Sequence, residues 1–347
     1  MPLQIEKCIF PTDSVEPKIA PPGSQLLTTM RKGRLLNWSS LVLVNLLWAG
    51  QFPAYKVASA HMDVVSLNLW IFVCASLLLA PFLLAERKRR VGPSVQVNRR
   101  KIVRQFLLLG TAGLVPPSVF LSWGIAHSTA SNAAIISMVI PVLTALMAVV
   151  MLGERMTRLR WLSFSAAILG TILTSNIHWG GGFFQGSLLV GNAVVFCAWM
   201  GSAFYNTYSK KLLATFSELE VLIYGYVVAC AVCALLSGIS GGRPFYKPGG
   251  YPLAAWGAIL VLGGLSWGLA MALWMWVLKR LDVSQISISI YLMPLFGVLL
   301  SALTLHERLT VAQLSGGALV LAATYLTADY ETRREARKKP GVTAPAQ

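Results

Sequence analysis

Long apolar runs of about twenty residues, each closed by a short polar or glycine-rich connection, set the pattern of this chain. A bilayer core about 30 Å thick takes roughly 20 residues of α-helix, which satisfies its own backbone hydrogen bonds where water is absent. The runs predict ten membrane-spanning helices, over 36–57, 64–85, 104–126, 130–152, 159–177, 187–208, 218–238, 252–278, 283–304 and 311–329. The eighth is long enough to tilt. The connections leave no room for a soluble domain, so the expected fold class is an all-α membrane protein.

Composition agrees: 56% of the 347 residues are apolar and 12% charged, with a mean hydropathy of +0.65, where a soluble domain carries about 25% charged residues. The net charge of +16 belongs to topology rather than to nucleic acid. If the even-numbered connections share a side with both tails, all lysines and arginines but Lys56, Arg243, Lys247 and Arg308 fall on that side, in clusters such as "ERKRR" (86–90) and "ETRREARKK" (331–339). Basic residues in short loops stay cytoplasmic and attract anionic headgroups. Both termini are therefore expected in the cytoplasm, with membrane lipid as partner and no nucleic acid. Residues 1–35, with Pro11, Pro17, Pro21 and Pro22, are expected to form a disordered tail rather than a cleaved signal, and 330–347 a basic cytoplasmic tail.

Two short tags repeat. "MLGERMT" at 151–157 returns as "TLHERLT" at 304–310, and a shift of 153 residues also pairs Ser131 with Ser284, Pro141 with Pro294 and Trp123 with Trp276. A shift of 151 pairs Trp48 with Trp199 and Gly50 with Gly201. The chain is thus expected to be an internal duplication of five spans, over 36–177 and 187–329. Because five is odd, the second copy enters the membrane from the other side, and inverted repeats of this kind are a recurring construction of secondary transporters.

On these residues the chain resembles the drug/metabolite transporter superfamily. Each half is similar to its EamA domain, with Trp-x-Gly in the opening helix and a fourth helix carrying small residues, a proline and a closing "GER", which becomes "HER" in the second copy. The resemblance covers about 36–329. It implies a plasma-membrane exporter of amino acids or other small metabolites, working by alternating access.

A solute needs a polar or aromatic patch at mid-depth. Span one offers Asn45, Trp48, Gln51 and Tyr55 on one face, with Pro53 expected to kink it. Span six offers Asn192, Trp199 and Asn206. Asn132 and Ser137 precede Pro141 in span four, and Ser284, Ser287 and Tyr291 precede Pro294 in span nine. Trp123 of span three and Trp267 and Trp274 of span eight can stack on a ligand. Gly264 and Gly268 are expected to pack helices closely. Glu154 and Glu307, at opposite mouths, are both stop signals for their helices and candidates for gating or proton coupling, for which Asp63, His61 and His127 are further titratable groups. No acid sits at mid-span and Lys56 is the one basic residue near the predicted cavity, which points to a neutral, zwitterionic or aromatic solute.

No metal, cofactor or nucleotide site is expected: there is no Walker-type loop, and the C-x-x-C of Cys230 and Cys233 has no second pair. A homodimer is compatible with the sequence. Two other classes compete. A polytopic lipid-modifying enzyme would need clustered His, Asp or Glu, yet His61, His127, His178 and His306 are scattered. A non-transporting scaffold would ordinarily carry soluble parts.

Overall fold

The computed structural model describes residues 22–89, 98–127, 133, 136–174, 186–239, 250–305 and 311–338. Asn132 and Glu307, named above as site residues, lie outside them. Among the described residues the fold is entirely helical. Four helices are long and apolar enough to cross a bilayer: Val64–Arg89, Arg99–Ala126, Glu218–Ile239 and Leu253–Arg280.

We number the helices α1 (Pro22–Ala49), α2 (Gln51–Ser59), α3 (Val64–Arg89), α4 (Arg99–Ala126), α5 (Val139–Leu152), α6 (Arg158–Thr174), α7 (Gly186–Leu212), α8 (Glu218–Ile239), α9 (Leu253–Arg280), α10 (Val283–Ser287), α11 (Leu292–Leu305) and α12 (Val311–Lys338). A short 3-10 turn, Ile288–Tyr291, joins α10 to α11.

The chain ends differ from expectation. Helix α1 starts at Pro22, inside the stretch expected to be a tail, with the proline at the first helical position, which its fixed φ suits. Helix α12 runs to Lys338, past the expected end at 329, with Arg333 paired to Asp329 one turn back at 2.7 Å. The interruption expected at Pro53 falls at Gly50, since the proline ring crowds the carbonyl four residues earlier, that of Ala49.

Local signals set the other boundaries. Asp63 accepts from the Ser66 amide at the start of α3, and Asn98 from that of Arg100 at the start of α4. Ser217 and Glu220 form a reciprocal capping box on α8. The tag at 151–157 is a helix–turn–helix joint. Gly153 ends α5 at φ 68°, a left-handed conformation that favours glycine, and the Thr157 hydroxyl accepts from the Arg160 amide to open α6.

The principal helix pairs are α6 with α12, α3 with α8, α3 with α9, α5 with α7, α4 with α7, α4 with α8, α1 with α11 and α1 with α9. Every one joins the first half to the second. Exchange of the halves turns α1–α11 into α7–α5, α1–α9 into α7–α4 and α3–α9 into α8–α4, and leaves α3–α8 and α6–α12 unchanged. The contact set therefore has two-fold pseudosymmetry, with the core along the seam between the halves.

Close approaches use small residues, though not the pair read from sequence. Gly268 lies against Leu78, but its partner is Gly263, against Ile71 and Cys74 of α3; Gly264 faces open space. A GxxxG spacing cannot show which glycine faces a neighbour when the helix between them is widened, as Leu260–Ala270 is.

Candidate substrate cavity

Helices α4 and α9, which exchange under the pseudosymmetry, are both π-helical at mid-length, over Leu109–Leu114 and Pro116–Phe120 in one and Leu260–Ala270 in the other. The wider turn places one extra residue per loop and is frequent at functional sites. In α4 the cause is in the sequence. Pro116 and Pro117 carry no amide hydrogen, so the Ala112 carbonyl has neither an α-helical partner four residues on nor a π-helical one five residues on.

Between these segments lies a cavity of about 50 Å³, room for a few waters rather than a metabolite. Its walls come from both halves: Trp48, Gln51, Gly113, Pro117 and Ile140 from the first, and Trp199, Ser202, Tyr205, Asn206, Trp267, Met271, Ile290 and Met293 from the second. Among the described residues no charged side chain lines it.

The tryptophans are fixed by bonds leading to protein groups. Trp48 Nε1 donates to the Ser266 carbonyl at 3.3 Å, Trp199 Nε1 to the Ala133 carbonyl at 3.4 Å, and Trp267 Nε1 to the Tyr55 hydroxyl at 3.1 Å. The Tyr226 hydroxyl donates to the Trp267 carbonyl. Behind the wall Trp274 donates to Asn206 Oδ1 at 3.1 Å, with its ring 5.2 Å from that of Trp48. With their polar hydrogens engaged, the indoles offer the cavity ring surface. Polar chemistry comes from the Gln51 amide, which also donates weakly to Met293 Sδ at 3.6 Å, and from the hydroxyls of Ser202 and Tyr205.

A cluster of charges stands one turn beyond the wall residue Asn206, where Lys210 of α7 meets the α5–α6 turn, the start of α6 and the α9–α10 joint. The Glu154 carboxylate accepts from the amides of Val283 (2.8 Å) and Ser284 (3.0 Å) and from the Ser284 hydroxyl. Arg160, only 1% exposed, donates to the Ser284 hydroxyl at 2.6 Å, to the Arg155 carbonyl at 3.3 Å and to Asp282 at 3.0 Å. Lys210 donates to the carbonyls of Leu278 and Leu281 at 2.6 and 2.8 Å, closing the last turn of α9. Burial lowers the Lys210 pKa, against the opposing pull of Asp282 and Glu154.

Comparison with known proteins decides what kind of molecule carries this arrangement. The sequence pattern of the EamA-like transporter family matches residues 38–176 and again 189–328. The chain belongs to this family. An EamA relative from Streptantibioticus cattleyicolor, described as a "probable terminal-alkyne amino-acid exporter", is 29% identical over 83% of this chain and 91% of its own length. A transporter of Archaeoglobus fulgidus is 22% identical over 83% and 97%. A crystal structure 20% identical in sequence matches with a TM-score of 0.68 over 88% of this chain and 99% of the other, which shows the fold. The protein is a multi-pass membrane protein of a transporter family.

Among the site residues read from sequence, this EamA protein brings Trp48, Gln51, Trp199, Asn206 and Trp267 together on the cavity wall. Tyr55 and Trp274 stand one layer behind, as hydrogen-bond partners of Trp267 and Asn206. The others that lie among the described residues do not line it. Asn45 spends its amide on the Leu41 carbonyl and the Ser289 hydroxyl, and Ser287 donates to the Ser284 carbonyl. Ser137 and Asn192 are buried elsewhere. Tyr291 packs on Phe164 beside α12. Trp123 stacks on His127 at 3.8 Å and borders a separate apolar groove with Val64 and Phe120. Sequence reading missed Gly113, Pro117, Ile140, Ser202, Tyr205, Met271, Ile290 and Met293. The adjacent prolines 116 and 117 were the available signal for the first two.

Proposed function

We propose that this protein is a secondary transporter that exports amino acids or other small neutral, zwitterionic or aromatic metabolites by alternating access. In this reading ten membrane-spanning helices form two inverted five-helix repeats, 36–177 and 187–329, in the plasma membrane, with both termini and the Glu154 end cytoplasmic. Glu154 and Glu307 stand at opposite mouths as gate residues. Trp48, Gln51, Trp199, Asn206 and Trp267 hold the solute.

The observation that carries the proposal is the uncharged, indole-walled cavity at the seam of two halves whose contacts survive their exchange. Such a seam has two equivalent ways to open, and rocking one half against the other exposes the same wall to either face. At about 50 Å³ the cavity is too small for an amino acid, so binding requires one end to open. The exporter description of the Streptantibioticus relative supports the direction and the solute class.

Purified protein in proteoliposomes, offered radiolabelled amino acids and small metabolites with and without a pH gradient, tests this. We expect at least one zwitterionic or aromatic solute to move at several times the rate of empty liposomes. Folded protein that moves none of them would overturn the reading. For topology, a reporter active only outside the cytoplasm, fused after Lys339, is expected to stay silent; activity there would reverse the orientation.

A further inference from the structure

The two ends of the seam are chemically unequal. The shift of 153 residues that superimposes Glu154 on Glu307 and Ser284 on Ser131 lays Arg160 on Gln313 and Asp282 on Thr129, and the shift of 151 lays Lys210 on Ser59. Both copies keep the glutamate and the serine it reaches. At the aligned positions the first-copy end has an arginine, an aspartate and a lysine where the second has a glutamine, a threonine and a serine.

The Arg160–Asp282 pair joins parts that must separate if that end opens. Arg160 belongs to the first half and grips Ser284 and Asp282 of the second, while Glu154 reaches across in the same direction to the start of α10. Lys210 holds the joint between α9 and α10 rigid from α7. The cluster also sits close to the cavity. Lys210 is one turn, about 6 Å, beyond the wall residue Asn206, and Ser284 lies on the segment that leads into Ile290.

We propose that Arg160 and Lys210 are positioning residues of a one-sided latch, in which they and Asp282 lock the Glu154 gate, and that the protein rests closed at this end. The proposal rests on the transport reading and on the cytoplasmic placement of the Glu154 end. An exporter so built loads its solute only after the latch parts, so the latch sets the bias between inward-open and outward-open forms.

The test places a single cysteine at Ser202 on the cavity wall, in full-length protein with its five native cysteines replaced, and follows labelling by a membrane-impermeant maleimide in right-side-out and inverted vesicles. Arg160→Gln is expected to raise cytoplasmic-face labelling about tenfold, the order a charge-assisted hydrogen bond gives, and to lower it from the opposite face; Lys210→Met, which loosens the α9–α10 joint but breaks no hydrogen bond across the seam, is expected to act in the same direction by less. Ser59→Ala, at the counterpart of Lys210, where the hydroxyl bonds only to its own helix, is expected to change opposite-face labelling less than about threefold. Simple loss of folding raises labelling from both faces, which would overturn the latch, as would equal effects at the two ends. Unchanged cytoplasmic labelling, with Ser202→Cys still reached from the other face, overturns the latch and leaves the transport reading standing. No labelling from either face in any variant overturns both.

Discussion

Trp48→Ala is expected to cut transport at least about tenfold while the protein still inserts and purifies. The indole forms part of the cavity wall, packs 5.2 Å from Trp274 and is anchored to the Ser266 carbonyl. Removal deletes ring surface for the solute and releases Trp274, itself bonded to Asn206. Loss of an aromatic contact costs about 0.5–1.5 kcal/mol beyond its buried area, and the added loss of wall area brings the total past the 1.4 kcal/mol of one decade. Trp48 is half-buried, so the fold loses less than for a core tryptophan. Trp161→Ala, at a ring 46% exposed on α6, is the control and should leave the rate within about twofold. Equal rates for Trp48→Ala and the parent protein would remove Trp48 from the solute path.

Gly170→Val is expected to give the largest loss of stability of any single change at the outer helix pair. A Cβ at Gly170 would lie 2.7 Å from the Gly316 carbonyl oxygen and 2.9 Å from the Val320 amide nitrogen. Both are backbone atoms of α12, and no rotamer change relieves the clash. The helices must part, and α6 with α12 is one of the most extensive helix pairs in the structure. Overpacking a tight core costs about 1–3 kcal/mol, and lost backbone-to-backbone contact along the pair adds to it. The readout is the melting temperature in detergent, expected to fall by several degrees, with reduced yield. Gly257→Val, where nothing lies within 4 Å of the added carbon, should show neither. A Gly170→Val protein that melts with the parent would mean that the two helices do not cross there.

The helices and the duplication are legible in the sequence because both depend on long-range averages. A run of twenty apolar residues needs no partner to be recognised, and "GER" at 153–155 against "HER" at 306–308 is a match of letters. The cavity wall is harder to read, because a helix that is apolar all round gives no sign of which face meets another helix. Trp48 and Gln51 stand out as polar or aromatic positions and do reach the wall. Asn45, one turn earlier on the same face, is diverted to Leu41 and Ser289. Polarity inside a membrane is as useful for tying helices as for meeting a solute. Met271, Ile140 and Ile290 look like ordinary packing residues, and only the structure places them on the wall beside the π-helical turns of α4 and α9. Arg160 was counted as one more cytoplasmic charge. Its burial depends on Asp282 and Ser284, more than 120 residues away, a pairing that the repeat itself does not contain.

The anchoring of the indoles has a consequence for how members of such a lineage diverge. Trp48, Trp199 and Trp267 each hold their place through a bond to a carbonyl or a hydroxyl of the protein, and Trp274 through Asn206, so the aromatic frame does not depend on the identity of its aliphatic neighbours. Ile140, Met271 and Ile290 contribute apolar bulk to the wall, with no side-chain polar group to satisfy. Exchange at these three positions alters the size and depth of the recess while the indole anchors keep their partners, so under the proposed transport role cargo preference can change without rebuilding the aromatic frame.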